Sequence, residues 1–402
     1  MFFTHHILTG MKQEMRAELG RIVRFGITGS LSVLIHYGVY LLALQWMSAT
    51  LAYTVGYGVG LMVNYVMTVF FTFKKQPSRK NAVGFVFNHV VNYLMEIGLL
   101  NLMIHLGVKA QIAGILTLML VVPVSFMILR FVFVGRKNDA AGNILLSFDT
   151  EEFDVPREHG VDFSLEQGMQ VSREGTNRIL DVLRQNDVKA TFFCTGNFAR
   201  LAPDMIQRIM EEGHEVACHG VDHWHPKEDD VAESKKMVER IAGRTVYGYR
   251  QPRMFPVSDE DIRKAGYRYN SSLNPAFIPG RYMHLTAPRT PFMKEGVLQI
   301  PVSVIPWVRF PLFWLSLHNL PEWLYHLLVR RTLGHDGLFV NYFHPWEFYD
   351  LKEHPEFRMP FIIRNHSGRQ MMQRLDRLVK MLKERGHHFI TYTEFSAYSL
   401  KI

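Results

Sequence analysis

Apolar positions are spread unevenly along this 402-residue chain. Up to about residue 135 they form four nearly unbroken runs, near 25–45, 52–73, 84–106 and 111–134. Each is close to the roughly 20 residues that a helix needs to cross a bilayer. From Asn143 onward the rhythm changes. Short apolar stretches (NILLSFD, KATFFCTG, HEVACHG, VYGYRQP, YRYNSS, LQIPVS, LFVNYFHP and HHFITYTEF) read as strands. Helical spacing fills the gaps near 173–187, where Ile179, Leu180 and Leu183 recur, and near 202–213, 228–243, 258–266, 321–333 and 367–386. This alternation predicts an α/β domain built on a mainly parallel sheet. Reactive groups in such sheets collect at the C-terminal strand ends. Asp149, His219, Arg250 and His344 each stand where an apolar run stops.

Charge follows the same division. Residues 1–141 hold 12 Lys/Arg against 4 Asp/Glu, a net of +8, whereas residues 142–402 hold 33 of each. The basic balance therefore belongs to the apolar third and gives no reason to expect nucleic-acid binding. Lys74, Lys75, Arg79 and Lys80 lie between the second and third runs, and Arg136 and Lys137 follow the fourth. Lys and Arg near span ends stay on the cytoplasmic side. The N-terminal segment, the middle connection and everything after residue 137 are accordingly expected in the cytoplasm. No short apolar core with a cleavage site follows the charged first 24 residues, so no secretory leader is expected. Two cysteines, Cys194 and Cys218, suit a reducing compartment better than a disulfide framework.

A weak repeat relates FGITGSLSVLIHYGVYLL to FVFNHVVNYLMEIGLLNL at an offset of about 60, as in duplicated transporter hairpins. His36, Asn64, Asn88, Asn92 and Glu96 interrupt the runs. They read either as helix–helix contacts or, for Glu96 above all, as a polar path or head-group site.

The candidate chemistry centres on HGVDHWHP. His219 and His223 are four apart, close enough for a turn or tight loop to aim both at one ion. Two imidazoles and a carboxylate form a common catalytic zinc set that leaves a position open for water. The carboxylate is available in SFDTEEFD, where Asp149 and Glu151 stand two apart: one can bind metal while the other acts as base. Glu152 and Asp154 fit helix capping or solvation better. His225 is a rival ligand. Cys218, beside His219, reads as a buried thiol or as a third ligand. The aromatic stretch PWVRFPLFWLSLHNLPEWLYHLL reads as core or as a bilayer-facing surface.

These motifs, in this order over about residues 143–400, resemble the polysaccharide deacetylase family, the NodB homology domain of carbohydrate esterase family 4. FDTE corresponds to its Asp-Asp motif, with the second acid displaced by one residue and replaced by Glu. HGVDH corresponds to the His-x-x-x-His metal motif, YRQP to Arg-x-Pro, and YFHPWE to the motif of the catalytic histidine. The resemblance implies a distorted (β/α) barrel and metal-dependent deacylation. Asp149 would be the base, and Glu151, His219 and His223 the metal ligands. Arg250 would hold the base, and His344 would protonate the departing amine. The implied cofactor is a divalent metal, Zn²⁺ first, with Co²⁺, Ni²⁺ and Mn²⁺ as alternatives. Asn270 departs from the family, where an aspartate is common, so a tether to Arg250 or His344 is expected to be absent or replaced, for example by Asp149 itself. About residues 17–137, with RFGITG at the entry and SFMILRFVFVGRK at the exit, resemble the GtrA family of four-helix membrane proteins. That resemblance implies handling of polyprenyl-phosphate-linked sugars.

The expected organisation is a cytoplasmic segment at 1–20, an all-α four-helix transmembrane domain at 21–137, a linker at 138–142 and the deacetylase-like domain at 143–402. The expected function is removal of an N-acyl group, acetyl first and formyl as an alternative, from a polyprenyl-phosphate-linked sugar. It would act at the cytoplasmic face of a bacterial inner membrane, in cell-envelope glycan or lipid A modification. The expected partners are that substrate, the bilayer and, through the membrane domain, other copies of the chain. Two other functions fit the sequence: a lipid-linked-sugar transporter or scaffold with an inactive deacetylase domain, and a deacetylase of exported polysaccharide or peptidoglycan.

Overall fold

The computed structural model describes residues 2–133, 141–227, 230–278, 282–284, 286–306 and 308–400. The chain divides into two compact units, Met1–Gly135 and Arg136–Ile402. The expected linker at 138–142 falls largely outside the described residues.

The first unit consists of α1 (Phe2–Ala43), α2 (Ala49–Met67), α3 (Arg79–His105) and α4 (Ala110–Phe133). The helix pairs α1–α2 and α3–α4 are in contact, two successive hairpins. Three stretches, Leu19–Ala43, Leu51–Thr72 and Arg79–His105, are long and apolar enough to cross a membrane, and α4 carries the shorter apolar stretch Leu116–Arg130. Ser78 caps α3 by accepting from the backbone N–H of Asn81 at 3.1 Å, directly after the basic connection. A core of Val69, Phe73, Phe85, Leu129 and Phe133 ties the hairpins together. Asn88 and Asn92 on α3 both donate to the Ser125 hydroxyl on α4, at 3.0 and 2.8 Å. These two asparagines are helix–helix contacts. Helix α1 starts far earlier than the apolar run does: no proline breaks residues 2–24, and backbone hydrogen bonding carries the helix through them.

The second unit is an α/β domain. Its strands are β1 (Asn143–Thr150), β2 (Thr191–Cys194), β3 (Glu215–Cys218), β4 (Gly248–Tyr249), β5 (Tyr269–Asn270), β6 (Phe277–Ile278), β7 (Tyr282–Met283), β8 (Phe292–Lys294), β9 (Val297–Gln299), β10 (Leu338–Phe343) and β11 (His388–Phe389). Among the described residues nine of them form one sheet in the order β10-β1-β2-β3-β4-β5-β9-β8, with β11 also on β1; β6 and β7 form a separate hairpin. Within the nine-stranded sheet pairing is parallel except between β8 and β9, and the β6–β7 hairpin is antiparallel. The strands curl as an open, distorted barrel: β8 and β10 do not close on each other.

All eight expected strand stretches are present. The β6–β7 hairpin and β8 lie where the sequence shows no strand period. The helix Leu165–Gln185 begins earlier than its apolar spacing, because Ser164 and Gln167 form a reciprocal capping box ahead of it. Ile179, Leu180 and Leu183 are buried as their spacing requires, packed with Phe148, Phe192 and Phe343 of the sheet.

Candidate active site and metal centre

Register brings the reactive groups to one edge. Phe148 on β1 lies opposite Phe343 on β10, so the next residues along, Asp149 and His344, emerge side by side. On the other flank Thr150, Cys194, Cys218 and Tyr249 stand in one row across β1 to β4. His219 and Arg250 follow that row, and the Arg250 backbone N–H donates to the Cys218 carbonyl at 2.9 Å. After His219 the chain turns through Gly220 at φ +69°, where a β-carbon would meet the Pro252 ring at 2.9 Å. The turn is pinned by Gly196 and Asn197, whose backbone N–H groups donate to the Gly220 and Val221 carbonyls. The loop can thus return His223 to the same point as His219.

Glu151, His219 and His223 are all buried and form a group that could hold a metal ion, with one ligand atom of each within 4.8 Å of the others. Glu151 Oε2 lies 3.3 Å from His219 Nε2 and 3.1 Å from His223 Nε2. Ligands at zinc distances of about 2.0–2.1 Å in a tetrahedron stand about 3.3 Å apart. The far nitrogen of each ring is occupied. His219 Nδ1 donates to the Arg250 carbonyl at 2.9 Å, and His223 Nδ1 lies 2.8 Å from Asp154 Oδ2. With the protons on Nδ1, both Nε2 lone pairs point at Glu151 Oε2, a buried oxygen without a hydrogen-bond donor. Three lone-pair-bearing atoms face one another, an arrangement that requires a proton or a cation among them. The donor set therefore fits a divalent metal. Burial first, then the Asp154 and Asp149 charges, push Glu151 up to about 8 against the pull of His223. A cation reverses that balance.

Asp149 is buried beside this cluster. Burial would raise its pKa, but the Arg250 charge, then His219 and His344, and the Arg250 hydrogen bond outweigh it and hold the carboxyl below its usual range. Arg250 Nη1 donates to Asp149 Oδ1 at 2.5 Å and to the Ser147 hydroxyl at 3.0 Å. Its other donors reach the Ser271 carbonyl, the Ser271 hydroxyl and the Tyr392 hydroxyl, and its guanidinium lies 4.0 Å over the Phe193 ring. Arg250 thus bonds Asp149 directly, and Asn270 takes no part: it bonds Gln299 and Ser272 instead.

His344 stacks on Trp346 at 4.8 Å between centroids, and the Trp346 indole N–H donates to Glu151 Oε1 at 3.4 Å. The ring is therefore beside the ligand cluster, with 12% of its side chain still open. The turn that carries it is clamped by Gly175, where a β-carbon would stand 1.8 Å from the Pro345 carbonyl oxygen. Only glycine lets the helix approach so closely.

Several expectations need correction. Asp154 and Glu152 are neither solvated nor capping: both are buried. Asp154 makes no cap bond and supports His223, while Glu152 accepts from the Thr195 hydroxyl at 2.5 Å. His225 is exposed and lies outside the cluster. Cys218 is a free, buried thiol pushed up to about 12 by burial, and it is not in the ligand group. In the aromatic stretch, Phe313, Leu317 and Tyr325 are core, and Trp314 packs edge-on against His344 and Trp346; Trp323 is 70% exposed.

Residues 138–269 match the family described as polysaccharide deacetylase, and residues 24–134 match the transmembrane domain of GtrA and DPMS proteins. A 69-residue stretch is 50% identical to an uncharacterised 30.6 kDa protein of Geobacillus stearothermophilus, covering 17% of this chain and 26% of that one. A 118-residue stretch is 25% identical to a peptidoglycan deacetylase of Helicobacter pylori, covering 27% and 40%. The chain thus spans less than half the length of either relative. The crystal structure of a pseudoenzyme of carbohydrate esterase family 4 from Bacillus anthracis aligns over 64% of this chain and 66% of its own, at 16% identity and a TM-score of 0.37.

Proposed function

From a chain that joins a GtrA/DPMS-type transmembrane domain to a polysaccharide deacetylase domain, we propose a membrane-bound, metal-dependent deacylase of N-acylated sugars carried on polyprenyl phosphate. One observation carries the reading. Buried ligand atoms of Glu151, His219 and His223 converge within 4.8 Å of one another, with no hydrogen bond made to Glu151 Oε2, beside a carboxylate and an imidazole at the same strand ends.

Glu151, His219 and His223 would hold a divalent cation, which would supply Lewis acidity toward an acyl carbonyl and toward water. Asp149, kept ionised by Arg250, takes the proton of the attacking water. His344 gives a proton to the departing nitrogen. Burial pushes His344 down to about 3, so the ring is neutral at rest and its proton must arrive during the reaction. Asp149, beside it, is the group that first holds that proton. The acid so released is acetic acid for an acetyl substrate and formic acid for a formyl one.

The membrane domain argues for a lipid-borne substrate: a bilayer-anchored catalytic domain meets lipid-linked sugar at high local concentration. The basic Lys74–Lys80 connection supports a cytoplasmic side for the domain, where exported polymers are absent. The test is incubation of the full chain and zinc with three substrates: a polyprenyl-phosphate N-acyl sugar, a soluble chitooligosaccharide and a peptidoglycan fragment. Mass spectrometry reads loss of the acyl group. The reading expects turnover of the lipid-linked sugar. Turnover of the polymers alone, or an active C-terminal phosphatase fusion reporting an outer location, overturns it.

A further inference from the structure

His344 lacks the aspartate expected near β5, yet its ring is held. Glu347, three residues on in the 3₁₀ turn Pro345–Phe348, is fully buried. Its Oε1 accepts from the His344 backbone N–H at 2.6 Å and lies 2.9 Å from His344 Nδ1. Its Oε2 lies 3.0 Å from His318 Nε2. His318 is buried too, and its Nδ1 lies 2.5 Å from the Asn365 carbonyl oxygen. A carbonyl oxygen only accepts, so His318 Nδ1 carries a proton and donates it. One further proton then lies between His318 Nε2 and Glu347 Oε2, and the pair is neutral as a whole. That neutrality is what makes a fully buried carboxyl tolerable. The remaining oxygen of Glu347 is left to accept, and what it faces is His344 Nδ1–H.

We infer that Glu347, backed by His318, is the positioning residue for His344. It fixes the tautomer with the proton on Nδ1 and leaves Nε2 for the reacting acyl group, in the place that Asn270 does not fill. The inference rests on the reading that His344 serves the deacylation. It differs in kind from a packing role, because Gln can replace a carboxyl that acts as part of a neutral pair. The amide oxygen accepts from His344 Nδ1–H while the amide N–H₂ donates to His318 Nε2. Leu, of similar size, does neither.

The experiment uses the full chain, zinc-loaded, in detergent. Glu347→Leu is expected to lower kcat by about 10²-fold, the lower end of what a general acid contributes. KM and zinc content should stay unchanged, and Glu347→Gln should stay close to wild type. Nitrogen-15 spectra of histidine-labelled protein, with His344 assigned by its loss in His344→Gln, are expected to show a protonated Nδ1 and a bare Nε2. That pattern should persist in Glu347→Gln and become a tautomer mixture in Glu347→Leu. Folded Glu347→Leu with wild-type kcat, or a wild-type spectrum with the His344 proton on Nε2, overturns the inference. The wild-type spectrum decides even where Glu347→Leu does not fold. A chain inactive on every acyl substrate that still shows the fixed tautomer retires the deacylase reading and leaves the tether standing.

Discussion

In α1 to α4 most large apolar side chains point outward; in the α/β unit most point inward. Leu34, Met62, Val83 and Met119 are exposed, whereas Phe148, Phe192, Phe193 and Phe343 are fully buried. The same residue types answer to two solvents, lipid in one unit and water in the other. The polar groups invert in the same way. Inside the helical unit, Asn88 and Asn92 meet the Ser125 hydroxyl, donor to acceptor. Inside the α/β unit, Glu151, His219 and His223 meet acceptor to acceptor. A buried polar contact between donor and acceptor holds structure together. One that leaves a buried carboxylate oxygen without a donor is a place that could hold a cation.

The sharpest way to break that contrast is to remove one acceptor. His219→Ala is expected to lower turnover by about 10³-fold or more, the scale of losing a reacting centre, and to abolish zinc uptake in equilibrium dialysis. Acid comes next. Burial, with a contribution from Lys189, pushes His214 down to about 4, and its Nδ1 accepts from the Ala190 backbone N–H at 3.3 Å. Between its unfolded value near 6.5 and about 4, the unfolded state binds the extra proton. Stability of the α/β unit therefore rises with pH across that window, and is lost as pH falls through it by up to about 3 kcal/mol. His214→Asn, which keeps an acceptor and cannot titrate, should flatten this part of the melting-temperature profile. Asp154→Ala, which frees His223 Nδ1, should weaken zinc affinity by about 10- to 100-fold without unfolding the domain. The smallest effect belongs to the helical unit. Ser125→Ala should cost about 0.6–2 kcal/mol there and leave zinc binding untouched; a shift in zinc affinity would mean that the two units are coupled.

Much of this was legible in the sequence, for a physical reason. Bilayer spans need length, parallel strands need short apolar runs, and a metal needs imidazoles and an acid at strand ends. Asp149, Glu151, His219, His223, Arg250 and His344 carry those signals themselves. Supporting groups do not. Asp154 precedes Val155 and Pro156 and reads as a helix cap, while its partner His223 lies 69 residues away. Glu347 has a clue in its spacing of three from His344, but its second partner His318 sits on the separate helix Trp314–Asn319. Such pairings come from the packing of distant elements, which no local period records. Strands of two residues such as β4 and β5 are likewise set by register with their neighbours more than by their own composition.

The most direct measurement is turnover of a polyprenyl-phosphate N-acyl sugar by the chelator-stripped full chain, before and after zinc is restored. The account predicts no acyl loss from the stripped protein, recovery with zinc in the wild type, and no recovery in His223→Ala. Equal turnover with and without the metal, or full recovery in His223→Ala, would contradict it.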